Sequence, residues 1–220
     1  WITIFTWPTW SWKTTTLYTI LNYLNDGKKK IITLEDPIEY ELDWVQQSQI
    51  NYNKWYNYEE WLKAILRHDP EIILVWETRD KETAEIAINA ALTWHAVFTT
   101  LHTNSAIESI SRLNNMGLKP YMIAPSLNLV IAQRLVRQLC PHYATKRPAN
   151  FAEQTEINEA IQKIKDSNPS LNIDFDWNVP VAVWCTECNE SGYKWRFAII
   201  EAFEINDEIR SLISEWKREA

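Results

Sequence analysis

The sequence predicts an α/β fold with a largely parallel sheet, and three observations carry that expectation. Short apolar runs of strand type alternate with segments of helical spacing over residues 1–138, the order that stacks helices on a parallel sheet. The first strand is followed by a loop and then by Lys13-Thr14 at a helix start, the setting in which such folds hold phosphate. Around Pro141 the pattern breaks, and Cys140, Cys185 and Cys188 mark a second, smaller region over residues 139–220.

Taken in order, residues 1–6 read as a buried strand and residues 7–13 as a loop. Leu17, Ile20, Leu21 and Leu24 share one helical face between Thr14 and Asn25, and Asn25-Asp26-Gly27 stops that helix. Ile31–Glu35 is a strand ended by Asp36-Pro37; Val45 to Ile50 reads as an edge strand. Tyr58–Arg67 is helical, and Ile72–Val75 is a solid apolar run suited to a strand buried on both faces. Lys81–Leu92 is a helix and Ala96–Leu101 a strand. Asn104 is expected to cap a helix that reaches Met116 and stops at Gly117, and Pro120 to open a helix through Arg134. Beyond Pro141 come a polar helix at Phe151–Lys165, an Asn/Asp/Ser-rich loop, a strand at Phe197–Phe203 and a last helix.

The composition of the 220 residues is 46% hydrophobic and 23% charged, which excludes a disordered or collagen-like chain. No run of about 18 apolar residues is present, and no charged leader precedes an apolar one, so neither a membrane span nor a signal peptide is expected. A net charge of -7 argues against nucleic acid as a partner. An odd number of cysteines suits a reducing compartment or a metal. The anomaly is in two other counts. There are 3 glycines where a chain of this length carries about 15, and 13 tryptophans. Together they restore the ordinary glycine share.

The loop Trp7-Pro-Thr-Trp10-Ser-Trp12-Lys13-Thr14 explains the anomaly. With glycine at 7, 10 and 12 it reads G-P-T-G-S-G-K-T, a complete phosphate-binding loop. Three further stretches then resemble the motor domain of the type II secretion and type IV pilus-assembly ATPase family. Ile32-Thr-Leu-Glu-Asp-Pro-Ile-Glu-Tyr40 resembles its aspartate box. Leu66 to Asp80, with Trp76 where glycine is expected, resembles its Walker B stretch. Ala91 to Asn104, with Trp94 for glycine, resembles its histidine box. Gln133 to Pro141 and the Cys185-x-x-Cys188 segment resemble its zinc subdomain. Eleven tryptophans (1, 7, 10, 12, 44, 55, 61, 76, 94, 184 and 195) stand where that family has glycine; for Trp177 and Trp216 the likeness is too loose to judge.

The resemblance implies a RecA-like P-loop domain working as a hexameric, cytoplasmic ATP-driven motor. It would attach to the inner membrane through a platform protein and through N-terminal domains that the resemblance does not cover. It implies that Thr9, Ser11, Lys13 and Thr14 bind Mg-ATP, with Thr14 on the magnesium. Glu77 would polarise the attacking water, with Glu35, His95, His102 and Arg79 in support; Asp36 and Glu39, beside Glu35, are further carboxylates that could serve the magnesium or the water. His95 and His102 bracket one strand and cannot form one metal pair. Cys140, Cys185 and Cys188 would keep three zinc ligands of four; Tyr143 holds the fourth place, with His142 the substitute. A side chain where φ must be positive costs about 1–3 kcal/mol, and eleven such costs exceed an ordinary domain's margin of stability. The expectation is therefore a degenerate loop that neither binds nor hydrolyses ATP, in a chain of reduced stability. The alternatives are a non-enzymatic scaffold of the same fold and a DNA translocase of a related class.

Overall fold

The computed structural model describes residues 1–7, 12–51, 58–142 and 145–215. Two compact units divide the chain: Trp1–Leu135 with Ala198–Ala220, and Val136–Phe197. The sequence pattern groups all of 139–220 in the smaller region. The C-terminal strand and helix instead group with the first unit, because the last strand joins its sheet.

The sheet of the first unit is built on β1 (Ile2–Thr6), β2 (Ile31–Glu35), β3 (Val45–Gln49), β4 (Ile72–Val75) and β5 (Ala96–Leu101), with β6 (Leu127–Leu139) up to Leu135 and β9 (Tyr193–Glu204) from Ala198. Their order across the sheet is β3-β2-β4-β5-β1-β6-β9. The pairs β2–β3, β2–β4, β4–β5, β1–β5 and β1–β6 are all parallel. The central strands carry the core: Ile4, Leu34, Ile73, Leu74 and Val75 are fully buried. Parallel strands covered on both faces need such continuous apolar runs, which is why the sequence placed β2, β4 and β5 to the residue.

The helices are α1 (Lys13–Leu24), α2 (Tyr58–Ile65), α3 (Lys81–Leu92), α4 (Ala106–Asn115), α5 (Pro120–Ser126) and α7 (Asp207–Glu215). Asp80 caps α3 by accepting from the Thr83 N–H at 2.8 Å, and Ala84, Ala87, Ile88 and Ala91 face the core. Ser105, not Asn104, caps α4. Asn104 instead donates its N–H to the Glu108 carboxylate at 2.9 Å.

The helix expected from Pro120 to Arg134 ends at Ser126, and Leu127 begins β6. Leu127, Val130, Ile131 and Arg134 fit a helical period as well as a strand, so spacing alone could not decide. The open edge of β1 decides it, by offering backbone groups that only a strand can satisfy. The register slips between Ile2 and Thr3, leaving Asn128 as an extra residue whose carbonyl accepts the Ile205 N–H at 2.9 Å.

The second unit holds β7 (Thr145–Pro148) antiparallel to β8 (Asn178–Val181), and α6 (Phe151–Ser167) between them in sequence. Asn150 and Glu153 close a reciprocal capping box at the start of α6. No helix among the described residues is long and apolar enough to cross a membrane.

Candidate functional site

In a parallel sheet the loops at the strands' carboxyl ends form the natural site. β1 ends at Thr6, and the chain re-enters the described residues at Trp12, in the left-handed region at φ 55°, as the residue before α1. Lys13 is thus the first residue of α1 and Thr14 the second. The Thr14 hydroxyl donates to Glu39 Oε1 at 2.6 Å. Burial is the largest influence on the Lys13 ammonium and takes it down to about 8, against the pull of Glu77, Glu39 and Asp36. Its Nζ lies 4.6 Å from the centre of the Trp76 ring. Thr9, Trp10 and Ser11 lie outside the described residues.

Glu77 follows β4 and Trp76, and is buried. Its Oε2 accepts from Arg79 Nη2 at 2.8 Å and its Oε1 lies 3.0 Å from His102 Nε2. Burial pushes its carboxyl up, but the Arg79 hydrogen bond and the charges of Arg79, Lys13 and His102 together hold it below the ordinary value. The structure thus gathers Lys13, Thr14, Glu77, Arg79 and His102 at one edge of the sheet. Threonines fix the floor beneath them. Thr6 Oγ1 donates to the Thr103 carbonyl at 2.8 Å, Thr100 Oγ1 to the Trp76 carbonyl at 2.5 Å, and Thr78 and Thr99 share a hydroxyl contact at 2.7 Å.

Two predicted residues are placed elsewhere. His95 precedes β5, while His102 follows it, so the six-residue strand separates them by about 20 Å. The His95 ring bonds locally, with Nδ1 3.0 Å from the Ala90 carbonyl. Glu35 is fully buried, and its carboxylate accepts from Tyr18, from Thr33 Oγ1 at 2.5 Å and from Gln47 Nε2 at 3.0 Å. Glu39, four residues on, is the carboxylate that meets Thr14. Gln47 belongs to no motif of the sequence. A polar residue on the half-buried face of an edge strand was the signal available for it.

Seven of the tryptophans fall into two groups. Trp12, Trp44, Trp94, Trp177 and Trp195 have φ between 55° and 78°, the region that all three glycines, Gly27, Gly117 and Gly192, also occupy. Trp44, Trp94 and Trp195 are exposed, Trp94 at 95%. Their cost is therefore in the backbone and not in crowding. Trp177, too loosely matched to judge from sequence, belongs to this group. Trp7 and Trp76 are different: both are buried in the core. Trp7 stacks on Phe5 with ring centres 5.8 Å apart, and its indole N–H has no partner among the described residues.

In the second unit the three cysteines meet. Cys140 Sγ lies 3.7 Å from Cys185 Sγ, Cys185 Sγ lies 3.4 Å from Cys188 Sγ, and all three are free thiols. Tetrahedral zinc with bonds of about 2.3 Å holds its sulfurs about 3.8 Å apart, so the spacing fits. Burial pushes the Cys188 thiol up, but hydrogen bonds from Cys185 and the Gly192 and Ser191 amides overcome it and bring it to about 7. Tyr143 lies outside the described residues. His142 is exposed and is not among the ligand atoms gathered there.

The family model for "Type II/IV secretion system protein" matches residues 1–220. Type II secretion system protein E of Klebsiella pneumoniae is 42% identical over 99% of this chain. The type IV pilus assembly ATPase PilB of Myxococcus xanthus is 42% identical over 97% of it. The chain spans about two fifths of the length of these relatives, 41% and 37% respectively. Among solved structures, the pilus retraction motor PilT with bound ADP superposes with a TM-score of 0.65 at 29% identity. That match covers 97% of this chain and 50% of the PilT chain.

Proposed function

The chain belongs to the type II/IV secretion system protein family, and from that premise we propose that it is the nucleotide-binding core of a secretion or pilus-assembly motor, written here in a form that does not bind nucleotide. One observation carries the second half: the Lys13 ammonium sits over the Trp76 ring instead of facing open space for an anion. The loop before it supplies Trp7 and Trp12 where a phosphate cradle needs bare backbone N–H groups.

The charged groups suit an ATPase reading. Lys13 would neutralise the terminal phosphates, and Thr14 Oγ1 would turn from Glu39 to a magnesium ion. Magnesium would supply charge neutralisation of the phosphates. Glu77, held ionised by Arg79 and faced by His102, would orient the attacking water and accept its proton. In the whole protein this core would work in a hexameric ring, cytoplasmic and bound to a membrane platform protein. Cys140, Cys185 and Cys188 would hold zinc as three thiolates. Metal analysis giving one zinc per chain, lost in Cys185→Ser, is the expected result.

Calorimetry with Mg-ATP tests the main reading. The chain as written should release no binding heat, and the form with glycine at 7, 10, 12 and 76 should bind. Micromolar binding by the unaltered chain would overturn it.

A further inference from the structure

Between β2 and β3 the chain makes a loop, residues 36–44, that carries Glu39 to Thr14, and side chains of β3 and of Asn25, just after α1, hold its backbone. Gln47 uses its whole amide there. Its Oε1 accepts the Leu42 N–H at 2.6 Å, and its Nε2 donates to the Tyr40 carbonyl at 3.1 Å and to Glu35 Oε1 at 3.0 Å. Glu35 is in turn fixed by Thr33 and by Tyr18, whose ring packs edge-on against Tyr40 at 4.6 Å. Gln49 Oε1 meets the Ile38 N–H at 3.4 Å, and Asn25 Nδ2 donates to the Asp43 carbonyl at 2.9 Å. Gln47 is thus tied both to a buried carboxylate and to the backbone one and three residues beyond Glu39.

We propose that Gln47 is a positioning residue, which clamps the 36–44 loop to Glu35 and Tyr18 and so sets the Glu39 carboxylate against Thr14. A single amide spanning a buried anchor and two loop backbone groups fixes both the height and the direction of the loop. Glu35 is then the anchor of the clamp, which accounts for a carboxylate buried among Tyr18, Thr33 and Gln47.

Two readouts test it. In the chain as written, Gln47→Met keeps the length and removes the polar atoms. Amide exchange at Leu42 should speed up about tenfold while Leu74 in β4 stays protected. Unchanged Leu42 protection overturns the clamp. If Gln47→Met fails to fold, Gln47→Asn, which keeps the amide and shortens its reach, should give the same selective loss. The second readout rests on the nucleotide reading and uses the glycine-restored chain. There Gln47→Met should weaken ADP binding only when magnesium is present, and the loss should vanish in a Glu39→Gln background. A loss that is equal with and without magnesium, or additive with Glu39→Gln, overturns the positioning role. If the restored parent binds no nucleotide, the functional reading fails, and the exchange result alone decides the clamp.

A separate observation carries a second inference. Five tryptophans share the left-handed backbone with every glycine of the chain, a conformation that costs an L-residue about 1–2 kcal/mol. No single site's chemistry asks for indole at turns as unlike as those at Trp44, Trp94 and Trp195. We infer that the cell builds this chain with glycine at these positions. The simplest source is one codon, UGA, which some genetic codes read as tryptophan and others as glycine. Peptide mass spectrometry of the chain isolated from the organism that encodes it should find glycine at 12, 44, 94, 177 and 195. Peptides carrying indole at those positions overturn the inference.

Discussion

The carboxyl edge of the sheet and the peripheral turns carry the same unusual residue with opposite consequences. At the turns, Trp44, Trp94 and Trp195 put their rings into solvent and strain only the backbone. At the edge, Trp7 and Trp76 are buried without positive φ, Trp7 against Phe5 and Trp76 under Lys13. The turns should therefore be read in stability and the edge in ligand binding. A fold tolerates the first kind of substitution because solvent accommodates the side chain. On the proposed reading a phosphate cradle would not tolerate the second, because it needs bare backbone N–H groups at those positions.

The largest expected effect lies at the edge. Glycine at 7, 10, 12 and 76 should take Mg-ATP affinity from undetectable to micromolar, and restoring the remaining tryptophans should be needed for turnover. In that fully restored chain Glu77→Gln should lower hydrolysis by about 100-fold or more while leaving binding unchanged, as measured by phosphate release beside calorimetry. Recovery of binding from the turn substitutions alone would erase the distinction between the regions.

Next come the turns. Trp44→Gly, Trp94→Gly and Trp195→Gly should each add about 1 kcal/mol to the unfolding free energy, since glycine relieves left-handed strain but gives back some chain entropy. Urea denaturation checks this. Trp7→Gly should differ in sign: it removes a buried indole, a truncation worth about 3–5 kcal/mol, offset by about 1–3 kcal/mol for the unpaired N–H it also removes. Stabilisation by Trp7→Gly as large as that of Trp94→Gly would show that both regions are governed by the backbone alone.

The same contrast explains what the sequence made legible. Lys13, Thr14 and Glu77 were readable because a phosphate loop and a strand end fix them by local spacing. Glu39 was readable only as one of several carboxylates after β2, and Gln47 not at all, because their placement depends on where a nine-residue loop falls against α1 and β3. His95 and His102 looked equivalent in sequence; only the parallel direction of β5 against β4 puts one beside Glu77 and the other at the far edge. The strand β6 was misread because its apolar spacing serves helix and strand alike, and the choice belongs to β1. Trp177 shows the reverse case, a position where backbone geometry speaks and motif likeness does not.

The last effect is confined to a pH window and isolates the Lys13–Trp76 contact. An unfolded lysine titrates near 10.5, and burial brings Lys13 to about 8 in the folded chain. Between those values the unfolded chain binds the proton and the folded chain does not, so stability should rise with pH across that window. Below pH 8 both states are protonated and Lys13 contributes no slope. Lys13→Met should remove the rise, measured as the difference between the two proteins' urea midpoints at pH 8 and pH 10. Trp76→Gly should shrink it, because opening the ring side of the ammonium to water returns its pKa toward the ordinary value. An undiminished rise in Trp76→Gly would mean that the rest of the edge, and not the indole, buries Lys13.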